Sequence, residues 1–299
     1  MFRLAHVSDL HATPVRIEGV RELVNKRVLG WLSWATKRSR VHSVAVLQAL
    51  LEDLEHADPD HVAVTGDLTN ASSEREFAEA LHWLEGLGGP RQVSVVPGNH
   101  DAFVAAPRSR SWDLWASYLG SDSDLQAPFP TLRVRDQVAI VGVCSAVPTA
   151  PFLASGSVGG EQLERLEKLL GDLADTSLCR VVLIHHPPVA GTVTPRRALR
   201  DAEAFRGVLR RSGADLVLHG HGHRSVFQSL EGPDGPIPVV GARSASYLGD
   251  DPEKLAQYHV YEIEPSPTAA TRFAIRVEAR GFDPAQGRFT AQGRGRRLS

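Results

Sequence analysis

Five short segments of the sequence combine residues that can bind metal ions, and each follows an apolar run typical of a buried strand. The clearest is Gly98-Asn99-His100-Asp101, which places an amide, an imidazole and a carboxylate directly after the run 93–96. The other four segments are Asp9-Leu10-His11, Gly66-Asp67, His185-His186-Pro187 and Gly220-His221-Gly222-His223. Polar side chains of this kind are unfavourable in a core unless they are paired, so their position after strands indicates a chemical site.

The donor atoms in these segments predict a site for two metal ions. Carboxylate, amide and imidazole donors together suit borderline divalent ions such as Mn, Fe, Co or Zn, whereas calcium prefers oxygen alone and structural zinc prefers thiolate. Two ions about 3.5 to 4 Å apart can hold a hydroxide between them and clamp a phosphoryl group during in-line attack. The candidate ligands, too many for one ion, are Asp9, His11, Asp67, Asn99, His185, His221 and His223.

Four further histidines lie near these segments, and the sequence predicts different roles for them. His100 follows a candidate ligand directly, so it could protonate the leaving alkoxide or contact a phosphate oxygen. For His186 we expect a structural hydrogen bond, although it flanks a candidate ligand. His6 and His219 lie within strand-like runs, and we expect them to be satisfied core residues.

In their order along the chain, the five segments resemble the motifs of the calcineurin-like metallophosphoesterase superfamily: D-x-H, G-D, G-N-H-[DE], H-x-P or H-G, and G-H-x-H. The resemblance extends from residue 4 to residue 223. The His-His-Pro-Pro form at 185–188 is most similar to the bacterial branch of cyclic-nucleotide and glycerophosphodiester phosphodiesterases.

This resemblance implies a role for each matching residue. One ion would be held by Asp9, His11 and His223. The other would be held by Asn99, His185 and His221, with Asp67 as the bridge. His100 would be the catalytic histidine, and Asp101 would orient it.

The elements that must position these residues predict an α/β fold. Amphipathic patterns predict helices at about 43–56, 72–87, 161–173 and 201–211, which alternate with the strand-like runs. Residues 237–279 are mostly strand-like, which favours a second sheet packed on the first. Open α/β sheets bind ligands at the carboxyl ends of their strands, as predicted here. The resemblance implies a four-layer αββα sandwich of two mixed β-sheets flanked by helices.

We expect a single domain over residues 1–285, because no repeat or low-complexity linker divides the chain. Its unusual feature is an inserted segment at about 15–40, in which apolar residues recur at helical spacing among seven cationic residues and two glutamates. This segment could cap the site, pack on a second protomer, or lie on an anionic membrane surface or against a lipid-linked substrate. The basic residues 286–299 are expected to form a mobile tail.

Composition limits the partners and the location of the protein. The formal net charge is −2 over 299 residues, which argues against a nucleic-acid partner. Cys144 and Cys179 lie in apolar runs, so we expect small core residues and no disulfide framework. The N-terminus lacks the pattern of a secretion signal, and no apolar run is long enough to span a bilayer. We expect a cytoplasmic protein, with peripheral contact to the inner membrane face through 15–40 as the alternative.

These observations predict a hydrolase that uses two divalent transition-metal ions (Mn, Fe or Zn) to cleave a small phosphate ester, with a diester favoured over a monoester. One alternative is a pyrophosphohydrolase of a nucleotide-linked lipid precursor, of the UDP-diacylglucosamine type, at the membrane surface. A phosphomonoesterase or a nuclease with the same centre is another. A binding protein without turnover is disfavoured, because the ligand set is complete. Cationic residues that could bind a further phosphate, or face solvent, are Arg196, Arg197, Arg200 and Arg224.

Overall fold

The computed structural model describes residues 1–15, 27–38, 41–266 and 272–298, and over these residues the chain forms two mixed β-sheets. The strands of the first sheet are β1 (Phe2–Val7), β2 (His61–Val64), β3 (Val93–Val95), β10 (Gln257–Pro265), β11 (Phe273–Asp283), β12 (Arg288–Ala291) and β13 (Arg296–Arg297). Their order is β12-β11-β10-β1-β2-β3, and β13 also pairs with β11. The parallel strands β1, β2 and β3 lie side by side and end at the same edge.

The second sheet has the order β4-β5-β6-β7-β9-β8. Its strands are β4 (Thr131–Arg135), β5 (Val138–Val143), β6 (Cys179–Ile184), β7 (Leu216–His219), β8 (Val226–Gly232) and β9 (Gly235–Gly241). The four inner strands are parallel, and the two edge strands run antiparallel to their neighbours. Strands β4 and β5 therefore form an antiparallel pair at the edge of this sheet.

Helices connect the strands at positions close to those predicted from the sequence. They are α1 (Arg27–Ser33), α2 (Val44–Ala57), α3 (Glu74–Leu87), α4 (Ala116–Leu119), α5 (Gly160–Ala174) and α6 (Ala202–Ser212). The boundaries follow from local chemistry: the Ser43 hydroxyl accepts the Val46 N–H at the start of α2, and Ser73 and Glu76 form a reciprocal capping box at the start of α3. The predicted alternation of helix and strand is confirmed.

Three apolar cores separate four layers of structure. One core lies between the first sheet and α2 and α3, and another lies between the second sheet and α5 and α6. The third core joins the two sheets face to face. Successive side chains of a strand point to opposite faces of its sheet, so strand β6 contributes to two cores. Val182 and Ile184 pack in the core against α5 and α6, whereas Val181 and Leu183 pack in the core between the sheets. The αββα sandwich implied by the resemblance is confirmed.

Part of the predicted insertion at 15–40 is helical. Helix α1 continues as a π-helical turn over Trp34–Arg38, and residues 16–26 and 39–40 lie outside the described residues. The side chains of Trp31 and Leu32 are exposed, whereas Gly30 is buried. In the part of the chain that is described, no helix has both the length and the apolar composition needed to cross a bilayer.

The prediction of a mobile tail over 286–299 does not describe the structure. Residues 288–291 and 296–297 form β12 and β13 on the long strand β11. The Leu298 N–H donates to the Ile275 carbonyl, and the Leu298 side chain packs against the core between the sheets. The guanidinium of Arg296 also lies 4.8 Å from the centroid of the Phe227 ring. Basic composition alone did not reveal the open edge of β11 that this segment covers.

We expect Leu183→Ala to lower the free energy of unfolding by about 2–5 kcal/mol, because it opens a cavity between the two sheets. Leu183 is fully buried, whereas Leu125 is half exposed and serves as a matched control. Leu125→Ala should change stability by less than about 0.5 kcal/mol. Urea unfolding of the metal-stripped proteins measures both values, and equal effects of the two substitutions would contradict the assigned packing.

Candidate metal centre

The structure brings the seven predicted ligands together at one edge of the sandwich. Asp9 and His11 follow β1, Asp67 follows β2 and Asn99 follows β3. The remaining three come from the second sheet, since His185 follows β6 and His221 and His223 follow β7. The carboxyl ends of parallel strands from both sheets thus supply all seven side chains, as the sequence predicted.

Most of these residues hold an unusual backbone conformation. Five of the seven have positive φ values, between 44° and 64°: Asp9, His11, Asp67, His221 and His223. The left-handed region is unfavourable for a residue with a Cβ, by roughly 1–2 kcal/mol. Such conformations concentrate where the surrounding structure must aim a side chain, so this pattern points to a functional site.

The first cluster of donor atoms surrounds Nε2 of His185. This nitrogen lies 3.2 Å from Asn99 Oδ1, 3.2 Å from His221 Nδ1 and 3.4 Å from an oxygen of Asp67. The Nδ1–H of His185 donates to the Thr65 carbonyl at 2.6 Å, and the Nε2–H of His221 donates to the Arg197 carbonyl at 2.9 Å. When both rings are neutral, as metal binding requires, they direct nitrogen lone pairs at each other, an arrangement that a cation between them would stabilise.

A second cluster contains Asp9, His11 and His223, whose ligand atoms all lie within 4.8 Å of one another. Oδ2 of Asp9 accepts hydrogen bonds from the Ser8 hydroxyl and the His221 N–H. Its other oxygen, Oδ1, is buried without a hydrogen bond and lies 3.1 Å from Nε2 of His223. The Nδ1–H of His11 donates to the Thr69 carbonyl at 3.2 Å, which gives Nε2 the lone pair.

Asp67 lies between the two clusters. Its Oδ2 is 3.4 Å from Nε2 of His185 in one cluster and 4.0 Å from Nε2 of His11 in the other. Its Oδ1 accepts the His100 N–H at 2.7 Å, which fixes the carboxylate in place. One oxygen of Asp67 is therefore positioned to be shared.

The electrostatics of the site favour positive charge between the two clusters, beside Asp67. Burial raises the pKa of Asp67, but His185, His100 and His11 outweigh it and hold that pKa well below its usual value. The pKa of Asp9 is also lowered, since His223 and His185 outweigh the effect of burial. Burial lowers the pKa of His185, but the carboxylates of Asp67 and Asp9 with the Thr65 carbonyl raise it to about 9. The residues present thus fit two divalent ions: two buried anions and several converging lone pairs.

His100 lines the cleft above these clusters, with its ring centroid 5.1 Å from that of His11. Its Nδ1–H donates to the Asn70 carbonyl at 2.6 Å. The predicted role of Asp101 as the group that orients this ring was wrong. A main-chain carbonyl has no residue-type signal, so the sequence could not indicate Asn70 as the partner.

Asp101 instead ties two of the ligand loops together. Its carboxylate accepts the N–H groups of Asp67, Gly98 and Thr69 at 2.8–2.9 Å, and the Thr69 hydroxyl at 3.0 Å. Burial and the neighbouring charge of Asp67 raise the pKa of Asp101 to about 7. The residue therefore holds the loops after β2 and β3 in register and makes no described hydrogen bond to the His100 ring.

Two glycines in the motifs are required by close packing. A Cβ at Gly98 would lie 2.2 Å from Oδ1 of Asp67, and a Cβ at Gly220 would lie 2.5 Å from Oδ2 of Asp9. Any side chain at these positions would displace a candidate ligand. The glycines of the motifs thus allow the ligand loops to approach each other.

Of the histidines predicted to be structural, His186 makes the expected hydrogen bonds, and one of its ring nitrogens also lies within 4.8 Å of donor atoms of His185 and His221. His186 hydrogen bonds through both ring nitrogens, to the Ser145 hydroxyl at 2.8 Å and to the Ala154 carbonyl at 3.2 Å. Burial and the adjacent His185 lower the pKa of His186 to about 3. His6 and His219 are buried, and burial lowers the pKa of each. The prediction that they are satisfied holds for one nitrogen of each ring, because Nδ1 of His6 and Nε2 of His219 have no hydrogen-bond partner among the described residues.

The cleft over the clusters, about 360 Å³, also contains residues that sequence reasoning missed. His42 follows the insertion, and its ring centroid lies 4.7 Å from that of His11. Tyr247 and Lys254 line the same cleft. No motif surrounds these three residues, so the sequence offered no signal for them. Of the four arginines considered for phosphate binding, Arg197 lines the cleft, and Arg224 instead pairs with Glu253.

A family model for calcineurin-like phosphoesterases matches residues 2–225. The chain is 26% identical over 220 residues to a probable cyclic nucleotide phosphodiesterase of Synechococcus sp., an alignment that covers 73% of this chain and 77% of that protein. It is 29% identical over 198 residues to a probable cyclic nucleotide phosphodiesterase of Rhodococcus erythropolis, covering 65% of this chain and 60% of that protein.

Among solved structures, the crystal structure of a dimetal phosphatase from Danio rerio matches with a TM-score of 0.60 and 11% identity. The match covers 100% of this chain and 98% of that chain. At this level of identity the likeness supports the fold.

We expect Asp67→Ala and His185→Ala to lower metal affinity by more than about 10–100-fold. Removing a residue that only supports a metal ligand typically lowers affinity by that amount, so removing a ligand itself should lower it further. Metal analysis after dialysis against Mn or Zn measures the effect. His82→Ala is the matched control, because this exposed histidine of α3 is not one of the residues that line the cleft. Retention of full metal content by Asp67→Ala would contradict a shared role for its carboxylate.

Proposed function

The chain belongs to the calcineurin-like phosphoesterase family, and we propose that it hydrolyses a phosphodiester with two divalent transition-metal ions bound in the cleft. The single observation that carries the proposal is the position of Asp67 Oδ2 between two clusters of buried donor atoms. In this proposal one ion is held by Asp9, His11 and His223. The other is held by Asn99, His185 and His221, and Asp67 is shared.

Ions bound there would activate a water molecule as the nucleophile and neutralise charge on the phosphoryl oxygens. The residues of the chain orient the ligands and bind the substrate. The carbonyls of Thr65, Thr69 and Arg197 fix the tautomers of three histidines, so that their lone pairs face the site. Arg197 lines the cleft and supplies a cationic group for a substrate anion. Lys254 also lines the cleft, and its ammonium group is paired with Asp251 at 2.6 Å.

His100 is the proposed proton donor to the leaving group. Its Nδ1–H is held by the Asn70 carbonyl, so Nε2 is the nitrogen that would contact a substrate oxygen. Its main-chain N–H holds Oδ1 of Asp67. One residue thereby couples the shared carboxylate to the position where the leaving group departs.

The preference for a diester is supported by the relatives of the chain. The two relatives that match the chain over most of its length are described as probable cyclic nucleotide phosphodiesterases. In addition to residues of the clusters, Val41, Ala154, Arg197 and Tyr247 line the cleft and are available to contact a substrate.

A second candidate is a pyrophosphohydrolase of a nucleotide-linked lipid precursor at the membrane surface. It is favoured by the exposure of Trp31 and Leu32 on α1, at 38% and 50%. An apolar helix face of this kind can contact a lipid surface. Release of a nucleoside monophosphate from such a substrate, together with co-sedimentation with anionic vesicles, would favour this candidate over the diesterase.

We expect bis(p-nitrophenyl) phosphate to be hydrolysed with a kcat/KM at least about 10-fold higher than that of p-nitrophenyl phosphate, a difference of about 1.4 kcal/mol. The reason is that the diester carries less negative charge than the monoester, and the relatives of the chain are described as probable phosphodiesterases. Both substrates are assayed with the same Mn- or Zn-loaded enzyme. A higher kcat/KM for p-nitrophenyl phosphate than for the diester would contradict the proposed diesterase activity and indicate a monoesterase.

His100→Ala should lower kcat by about 10²- to 10⁴-fold on a diester with a poor leaving group, such as methyl phenyl phosphate, because this is the usual contribution of a positioned proton donor. Its metal content should equal that of the wild type, because the imidazole belongs to neither cluster. Steady-state kinetics and metal analysis of the same preparation measure both, with His82→Ala as control. A metal-free His100→Ala protein would show that this division between ligands and proton donor is wrong.

A further inference from the structure

The ring of His100 is held on its face as well as at its edge. The ring of Phe103 stacks on it with a centroid distance of 5.6 Å and an interplanar angle of 8°. The hydrogen bond from Nδ1–H to the Asn70 carbonyl fixes one edge of the imidazole. A single hydrogen bond still allows the ring plane to turn about that contact, and the parallel phenyl face limits this rotation.

The main chains of His100 and Phe103 share an anchor, the hydroxyl of Ser72. This hydroxyl donates to the His100 carbonyl at 2.6 Å and accepts the Phe103 N–H at 2.7 Å. The Thr69 hydroxyl, which shares its one proton with Oδ1 of Asp101, lies 2.8 Å from the same His100 carbonyl. The loop 69–72 therefore fixes both aromatic residues relative to each other.

Helix α1 packs on this arrangement from outside. A Cβ at Gly30 would lie 3.0 Å from Cε1 of Phe103 and 3.1 Å from Cβ of Ala71, so the helix backbone lies directly against both. The guanidinium of Arg27 donates to the carbonyls of Ala71 and Ser72, at 3.3 Å and 2.7 Å. The described part of the insertion thus contacts the loop and the ring that support His100.

We propose that Phe103, backed by Gly30 of α1, is a positioning residue that sets the orientation of the His100 imidazole toward the leaving group. This inference rests on the proposed function of His100. In the step concerned, the oxygen of water bonds to phosphorus, the bond from phosphorus to the leaving oxygen breaks, and that oxygen takes a proton from the His100 ring. One proton of the consumed water restores the ring. A displacement of about 1 Å at such a group can lower the rate about 100-fold.

The test compares two diesters that differ only in their leaving group, methyl phenyl phosphate and methyl p-nitrophenyl phosphate. Phenoxide needs a proton from the enzyme more than p-nitrophenoxide does. Phe103→Ala should therefore lower kcat for the phenyl ester by about 10-fold or more, and for the p-nitrophenyl ester by less than about 3-fold. KM and metal content should stay near the wild-type values.

Gly30→Val provides a second variant that leaves Phe103 in place and crowds its ring. It should reproduce the leaving-group pattern of Phe103→Ala. Leu32→Val is the matched control, because it adds the same β-branched residue to α1 at a half-exposed position. It should behave as the wild type toward both esters.

A double-mutant cycle separates positioning from general stability. If Phe103 acts through His100, Phe103→Ala should cause no further loss in a His100→Ala background. Additive losses, or equal losses on both esters, would overturn the inference while the role of His100 stands. If His100→Ala itself shows no dependence on the leaving group, the proposed proton donor is wrong and the inference falls with it.

Discussion

Two buried carboxylates, Asp9 and Asp67, impose the central constraint on this protein. Both stay ionised because imidazole groups surround them, and Asp67 together with Asp9 raises the pKa of His185 to about 9. An ionised carboxylate in the interior carries a desolvation penalty of several kcal/mol unless positive charge lies beside it. Nε2 of His185 and Nδ1 of His221 also lie 3.2 Å apart, so a cation that takes the place of the His185 proton would find both nitrogens directed at it. The interior of the site is therefore arranged around cations, and the surrounding chain maintains that arrangement.

The chain maintains it through strained backbones and contacts between loops. Five candidate ligands adopt left-handed conformations, which would relax if the loops were independent. Asp101 prevents this by joining the loops after β2 and β3 through main-chain N–H groups. Glu76 has a similar effect from α3, because its carboxylate accepts the N–H groups of Asn70 and Ala71. These acidic residues thus support the geometry of the site from behind.

The described part of the insertion connects to the same support. Arg27 and Gly30 contact the loop 69–72 and Phe103, whereas the opposite side of α1 exposes Trp31 and Leu32. A cap and a surface helix were alternatives when only the sequence was considered. In the fold the two are compatible, because one face of a helix can pack on a catalytic loop while the other meets solvent.

The sequence by itself determined the strands, the main helices, the donor types and the order of the motifs, because these depend on local periodicity and residue chemistry. It also predicted the structural hydrogen bonds of His186. Only the tertiary structure decided that Asn70, and not Asp101, holds the His100 ring, that His42 joins the cleft, and that residues 288–297 complete a sheet edge. These three depend on main-chain carbonyls and on distant segments meeting in space. A main-chain carbonyl leaves no pattern in residue type, because every residue supplies one. A contact between distant segments leaves no pattern in spacing, because packing joins positions that are far apart in the chain.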